Sequence, residues 1–332
     1  MHAFVQDMLQ CPVCAGPLQW SIGERGEGRI EQADIQCVGC GASYFVREGI
    51  GVFLPPDLPR NDLWEQTSTA LGRYLHEHPD VEQRLMAAPP ETLSPADRFY
   101  RALALEERGD FAQAKAVADS ALPLLYTPEY LACHESQKRW VIDRIRHRPS
   151  PIVDLASGRG DLVERMAREL RRPVVATDFS LRILRRNRRA LQGQDFAEHI
   201  SLLAMDARRT PFRDGAVSTL TTNLGLPNIE KPGELLAELR RVVSGEFLAI
   251  TLFYPSDDEA NLSVLREFGV APLLVRESLA ELLARAGWHV EIANAQTGRA
   301  LPTPASELLE GARIDALPVA PTVLEWCTVC AR

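Results

Sequence analysis

From Pro149 to the C-terminus, short apolar runs alternate with stretches in which apolar residues return every three to four positions. The runs are rich in β-branched residues and bounded by turn formers. They predict strands near 152–156, 174–177, 200–204, 217–221, 247–253, 289–293 and 322–330, with helices between them. Strands that are apolar on both faces and separated by helices belong in a largely parallel sheet covered on each side, so the fold expected for 149–332 is α/β and doubly wound.

Upstream, the period is helical. Phe99, Leu103 and Leu105, then Phe111, Ala114, Val117, Ala118 and Leu122, recur at helical spacing around Arg108-Gly109-Asp110, which predicts a helix hairpin over 102–122. A lone hairpin cannot bury a solenoid core, so it reads as a connector rather than a repeat. Lying just before the sheet domain, this connector can serve as a lid that brings Tyr100, Tyr126, Tyr130 or His134 to a substrate cleft. The prolines of Leu54-Pro55-Pro56-Asp57-Leu58-Pro59 stop any helix from crossing into the N-terminal segment, so the expected divisions are 1–55, 56–148 and 149–332.

Composition narrows the class without naming the chemistry. With 45% hydrophobic and 25% charged residues, the 332-residue chain is ordinary globular material. Its net charge of −8 disfavours a general nucleic-acid or anionic-membrane binder. Locally, 15 basic residues stand against six acidic ones between Lys138 and Arg189, most densely at Arg182, Arg185, Arg186, Arg188 and Arg189. No aromatics interleave with these arginines as a base-stacking platform requires; the plainer expectation is solvated helix faces or pairing with acids of the connector. No run approaches the roughly 20 apolar residues of a membrane span, and no basic leader precedes an apolar run, so a cytoplasmic location without membrane contact is expected.

The sharpest chemical signal is Ile152-Val153-Asp154-Leu155-Ala156-Ser157-Gly158-Arg159-Gly160-Asp161, a buried strand that ends in a glycine turn and opens a helix. Such a turn tolerates positive φ and lets backbone approach a ligand closely. A dinucleotide site calls for Gly-x-Gly-x-x-Gly, which this stretch lacks, and Asp154 would repel a diphosphate. A nicotinamide-dependent oxidoreductase is therefore a distant reading. The carboxylate suits a cationic amino group better.

This stretch resembles motif I of class I S-adenosylmethionine-dependent methyltransferases, and the resemblance continues in register. Val174-Val175-Ala176-Thr177-Asp178-Phe179 is similar to their second strand, which implies that Asp178 accepts both ribose hydroxyls. Leu203-Ala204-Met205-Asp206-Ala207 is similar to their third, implying that Met205, Asp206 and Ala207 hold the adenine. Thr221-Thr222-Asn223-Leu224-Gly225 occupies the end of the fourth strand, which makes Asn223 a cofactor- and substrate-facing candidate. The resemblance implies a Rossmann-like sheet with an antiparallel last strand. It also implies a cofactor site built from Asp154, Ala156, Gly158, Gly160, Asp178, Phe179, Met205, Asp206, Ala207 and Asn223. Two positions depart from the usual pattern: Ala156 replaces the first glycine of the turn, and Ser244-Gly245-Glu246 replaces the usual Pro-Gly-Gly.

Of the seven cysteines, Cys11, Cys14, Cys37 and Cys40 form two Cys-x-x-Cys knuckles, each followed closely by glycine. Four thiolates close a tetrahedron around Zn²⁺ and leave no open position, so the metal would be structural; two redox dithiols are the minor alternative. The segment through Phe53 resembles the small zinc-ribbon proteins that activate tRNA, rRNA and release-factor methyltransferases, which leaves a protein partner for the ribbon open. Cys327 and Cys330, three apart on a strand, should point to opposite faces and act with Cys133 as packing residues.

Methyl transfer is a displacement at a sulfonium-bound carbon that positioning and desolvation largely accelerate. If the acceptor must lose a proton, Tyr254, His134 and Tyr130 are the candidates, and Asn223 faces the same place. The acceptor is expected to be a small molecule or RNA. The rival reading is a non-catalytic ribbon and Rossmann-like protein that binds and regulates another enzyme.

Overall fold

The computed structural model describes residues 1–59 and 62–332. After a short 3-10 turn, Ala3–Met8, the chain forms an antiparallel meander of β1 (Leu18–Gly26), β2 (Arg29–Cys37), β3 (Ser43–Arg47) and β4 (Ile50–Val52). Strand β2 has the period of two that buries one face, with Ala33, Ile35 and Cys37 inside and Asp34 and Gln36 outside.

Five helices follow: α1 (Leu63–Glu77), α2 (Pro79–Ala87), α3 (Pro95–Glu107), α4 (Phe111–Leu125) and α5 (Pro128–Ile145). Their starts are explicit in sequence. Ser94, Asp110 and Thr127 each accept the amide of the residue three further on, and proline opens α3 and α5. The expected hairpin is α3–α4, turning at Gly109 with φ of +85°.

The remaining elements are β5 (Ile152–Asp154), α6 (Asp161–Leu170), β6 (Val174–Asp178), α7 (Leu181–Ala190), β7 (Ile200–Ala204), β8 (Val217–Asn223), α8 (Pro232–Val242), β9 (Val243–Phe253), α9 (Glu259–Glu267), α10 (Ala271–Leu274), α11 (Arg276–Arg285), β10 (Val290–Ala300) and β11 (Thr322–Ala331). The described strands make one sheet in the order β1-β2-β3-β4-β7-β6-β5-β8-β9-β11-β10. Strands β5 to β9 run parallel, and β11 lies antiparallel between β9 and β10. This is the doubly wound sheet with an antiparallel last strand that the sequence predicts.

Alternation along the strands separates two cores. On one face Ile152, Ala176, Leu202 and Ile250 meet Val141, Leu162, Met166 and Leu184 of α5, α6 and α7. On the other, Val153, Val175, Leu203 and Phe247 meet Leu235, Leu239, Leu279 and Leu283 of α8 and α11. Cys327 belongs to the second core, and Cys330 with Cys133 to the first, so the cysteines on β11 do face opposite ways. Gly298 lets α5 press on β10, because a Cβ there would stand 3.1 Å from Cys133 Sγ.

Two features differ from the sequence reading. First, residues 1–55 form no detached appendage: β4 pairs in parallel with β7, and Phe53 N donates to Ala204 O at 2.8 Å. No helix joins β7 to β8. The N-terminal segment covers that stretch instead, with Gln10 N donating to Pro211 O at 2.7 Å and Arg213 N to Met8 O at 2.9 Å. Second, α5 is a layer of the sheet domain, while α1 to α4 pack with the irregular segment 301–321, where Tyr100 Oη donates to Arg313 O at 3.0 Å and Ser306 donates to Asp97.

Of the two expectations for the basic stretch, pairing with acids of the connector is met by several of its arginines, and one more reaches the N-terminal segment. Arg186 pairs with Glu106 at 2.5 Å, Arg182 with Glu107 at 2.7 Å and Arg188 with Glu48 at 2.8 Å, and Arg159 also pairs with Glu106. Among the described residues no helix is long and apolar enough to cross a membrane.

Candidate functional site

The strand order reverses between β5 and β8, and crevices form at the carboxyl ends of strands at such a point. A cavity of about 1860 Å³ opens there, between the sheet and helices α3, α4 and α5. Ala156, Asp178, Phe179, Met205, Asp206 and Ala207 line it, together with His134 and Tyr254.

The glycine turn after β5 shapes the floor. Ala156 and Gly158 have φ of +50° and Gly160 has +85°, so the left-handed conformation falls on alanine at the first position. A non-glycine residue held there stores about 1 kcal/mol or more of strain. Gly225 permits the contact between this turn and the loop after β8, because a Cβ on it would lie 2.8 Å from Ala156 Cβ and 2.5 Å from Thr222 Oγ1.

Asp178 ends β6 and is held from two sides: Gly158 N donates to Oδ2 at 2.9 Å and Ser180 N to Oδ1 at 2.9 Å. Burial raises its pKa to about 6, and the backbone donors oppose that shift. Its carboxylate therefore ties the turn to the second strand and keeps acceptor capacity toward the cavity.

Asp154 is placed differently. It is 1% exposed, stands behind the cavity wall and accepts from Thr221 Oγ1 at 2.6 Å. Burial pushes its carboxyl up to about 7. The wall at that level is made by its neighbours Leu155 and Ala156. Asp206 lines the cavity but is clamped by Arg208, whose Nε reaches Oδ1 at 3.0 Å and Nη2 reaches Oδ2 at 2.8 Å. Gly158 and Gly160 contribute backbone shape, and Asn187 Nδ2 fixes Gly158 O at 2.7 Å.

Asn223 and His134 come together: Asn223 Oδ1 and His134 Nε2 are hydrogen-bonded at 2.8 Å. Burial, then the nearby Lys138 ammonium, lowers the pKa of His134. His134 stacks on Trp326 at 5.1 Å, Tyr130 meets the same indole edge-on at 4.9 Å, and Tyr126 stacks on Tyr130 at 4.9 Å. Tyr254, at the end of β9, is buried nearby, and burial raises its phenol pKa.

Sequence reasoning missed Asp315, which accepts from Tyr126 Oη at 2.6 Å and lines the cavity. It sits in a segment without periodicity, and its partner is 189 residues away. Nothing local marks it. Arg159 and Glu106, which tie the glycine turn to α3, were likewise invisible as a pair.

At the far end of the molecule, the sulfur atoms of Cys11, Cys14, Cys37 and Cys40 all lie within 4.8 Å of one another. Cys14 and Cys37 are 3.4 Å apart and Cys11 and Cys40 are 3.7 Å apart. Tetrahedral Zn–S bonds of about 2.3 Å separate sulfurs by roughly 3.8 Å, so the set fits Zn²⁺. Val13 N points at Cys11 Sγ at 3.4 Å, and Tyr44 Oη lies 3.4 Å from the same sulfur. Both can donate to a thiolate.

Residues 152–245 match the family model of a methyltransferase domain. Among curated proteins, the chain is similar to a demethylmenaquinone methyltransferase of Renibacterium salmoninarum, 29% identical over 158 residues, which are 46% of this chain and 63% of that protein. It is also similar to a ubiquinone/menaquinone biosynthesis C-methyltransferase of Acidiphilium cryptum, 32% identical over 123 residues, 36% of this chain and 49% of that one. The chain thus spans only about half to three fifths of the length of these relatives. Among solved structures, a geranyl diphosphate C-methyltransferase from Streptomyces coelicolor aligns over 59% of this chain and 77% of its own, at 15% identity and a TM-score of 0.43.

Proposed function

We propose that this protein is an S-adenosylmethionine-dependent methyltransferase that acts on a small molecule, with a structural zinc in its N-terminal ribbon. The observation that carries the reading is Asp178: a carboxylate at the mouth of the cleft, fixed by the glycine turn and by its own helix start, inside a segment that matches a methyltransferase domain. When bound, the cofactor supplies a methyl group on a positively charged sulfur.

The chain's own residues do the rest. Asp178 accepts from the ribose hydroxyls, and Phe179, Met205 and Ala207 bracket the adenine beside the Asp206–Arg208 pair. Ala156, Gly158 and Gly160 follow the methionine chain with backbone. Asp154, shielded and bonded to Thr221, holds the ends of β5 and β8 in register beneath it. Tyr130, His134, Asn223 and Tyr254 surround the acceptor and exclude water, which strengthens every charge interaction inside.

A small acceptor is favoured over RNA because the cleft is roofed by α3 and α4, and Arg159, Arg182 and Arg186 are engaged by Glu106 and Glu107 of that roof. The test is to supply methyl-labelled S-adenosylmethionine with a fractionated metabolite extract and, separately, with total RNA. Label is expected in a low-molecular-weight fraction. Label confined to RNA would reverse the acceptor class, and the absence of transfer to either would contradict catalysis.

A further inference from the structure

We propose that Asp315 is the proton acceptor of the acceptor site, and that the acceptor is a neutral, planar hydroxyarene whose hydroxyl points at this carboxylate. This rests on the methyltransferase reading and adds to it the substrate class and the base.

The argument begins with what Asp315 lacks. Asp315 lines the cavity and is half-buried, yet among the described residues it has no ion-pair partner and a single side-chain donor, Tyr126 Oη at 2.6 Å. An ionised carboxylate has about four acceptor sites, so most of its capacity is unspent at the cavity wall. Burying such a group without donors is costly, and a ligand that donates a hydrogen bond relieves the cost. Burial raises the Asp315 pKa and the Tyr126 hydrogen bond opposes the rise, a balance suited to taking up a proton and releasing it again.

The position is also rigid. Thr303 Oγ1 donates to Asp315 O at 3.3 Å, and Tyr100 Oη holds Arg313 O at 3.0 Å. Asn261 fastens the next stretch, its Oδ1 accepting from Val319 N at 2.8 Å. A segment pinned at these points keeps one side chain aimed without secondary structure.

The walls choose the rest of the ligand. Tyr126, Tyr130 and His134 line the cavity on this side, with the fully buried Trp326 packed behind Tyr130 and His134. Leu252, Leu274 and Leu317 add apolar surface. A flat ring fits against such a wall with its substituent at the carboxylate. An alkylamine would arrive protonated, and the carboxylate would hold that proton on nitrogen and leave no electron pair for attack. A hydroxyl reverses this. Its O–H bond breaks, the proton moves to an Asp315 carboxylate oxygen, and the electron pair left on the ring oxygen forms a bond to the methyl carbon. As that bond forms, the methyl–sulfur bond breaks with its electrons kept on sulfur, giving the methyl ether and S-adenosylhomocysteine.

The test uses the full-length, zinc-loaded chain with S-adenosylmethionine and a panel of 2-naphthol, 4-nitrophenol and 2-naphthylmethylamine. Wild type is expected to methylate both hydroxyarenes and not the amine. Asp315→Asn should slow 2-naphthol about 100-fold or more at pH 7.5. It should slow 4-nitrophenol, which is already largely ionised there, less than about tenfold, with S-adenosylhomocysteine affinity within about twofold of wild type. Equal losses on the two phenols, turnover of the amine alone, or no transfer to any hydroxyarene by a chain that binds S-adenosylhomocysteine would each overturn the proposal. Loss of S-adenosylhomocysteine binding by wild type would instead remove the methyltransferase reading. If Asp315→Asn does not fold, wild type still decides: loaded with S-adenosylhomocysteine, it should bind 2-naphthol about tenfold more tightly than naphthalene, and equal affinity would refute the hydroxyl contact.

Discussion

At the residue scale, Asp178 and Ala156 carry consequences that can be measured. Asp178 has its pKa raised from the ordinary 3.8 to about 6, chiefly by burial. Only the ionised form accepts from two hydroxyls, so cofactor affinity should be full above that value and fall as pH drops through about 6, read by titrating S-adenosylhomocysteine between pH 5 and 8. The stability term has the opposite sense. Between 3.8 and about 6 the folded state binds the extra proton, so this group's contribution to stability declines as pH rises through that window. Ala156, with φ of +50°, should gain about 1 kcal/mol on Ala156→Gly in a denaturant melt, less the entropy that glycine adds to the unfolded chain. Asp178, Gly158 and Gly160 could be found from sequence because strand, glycine turn, strand and acid follow one another within one local pattern. Asp315 could not be found, because only tertiary packing brings it to Tyr126.

At the scale of elements, the connector is clasped to the glycine turn. Glu106 of α3 is bonded by both Arg159, inside the glycine turn, and Arg186 of α7. Glu106→Gln should cost about 2 kcal/mol, since it removes the charge while two part-buried guanidiniums stay behind. Hydrogen exchange in α3 and α4 should quicken while the core strands β5 and β6 keep their protection; unchanged exchange in α3 would show that the clasp is idle. The helices themselves were readable from period and caps, as Ser94, Asp110 and Thr127 illustrate. The N-terminal segment was readable in its cysteine cluster but not in its docking. Two Cys-x-x-Cys pairs announce a metal, whereas the pairing of Ile50–Val52 with β7 depends on a short strand meeting a distant edge. The same contact predicts that zinc loss spreads. Val5, Leu9 and Phe53 share a core with Leu203 and Phe212, so chelation or Cys37→Ser should lower the unfolding transition of the sheet domain as well. A loss of several kcal/mol is expected, and a melt unchanged by chelator would contradict it.

At the scale of the whole molecule, one sheet carries an edge with four clustered cysteines, a cleft at its centre and a roof of helices. The doubly wound order was legible because apolar runs and helical stretches alternate so regularly after Pro149. The roof's contact with segment 301–321 was not, since that segment has no period to read. Charge follows the same division. Several arginines of the basic stretch hold the roof and the N-terminal segment to the sheet, which leaves an acidic molecule with a cavity walled in part by aromatic rings. The central claim is that this cleft binds S-adenosylmethionine through Asp178. Its most direct test is calorimetric titration of the zinc-loaded chain with S-adenosylhomocysteine beside Asp178→Ala. Saturable one-to-one binding by wild type, weakened at least about tenfold in a variant that melts as a folded protein, is the result the account predicts. Folded wild-type protein that takes up no S-adenosylhomocysteine, or a variant that binds it equally well, would contradict it.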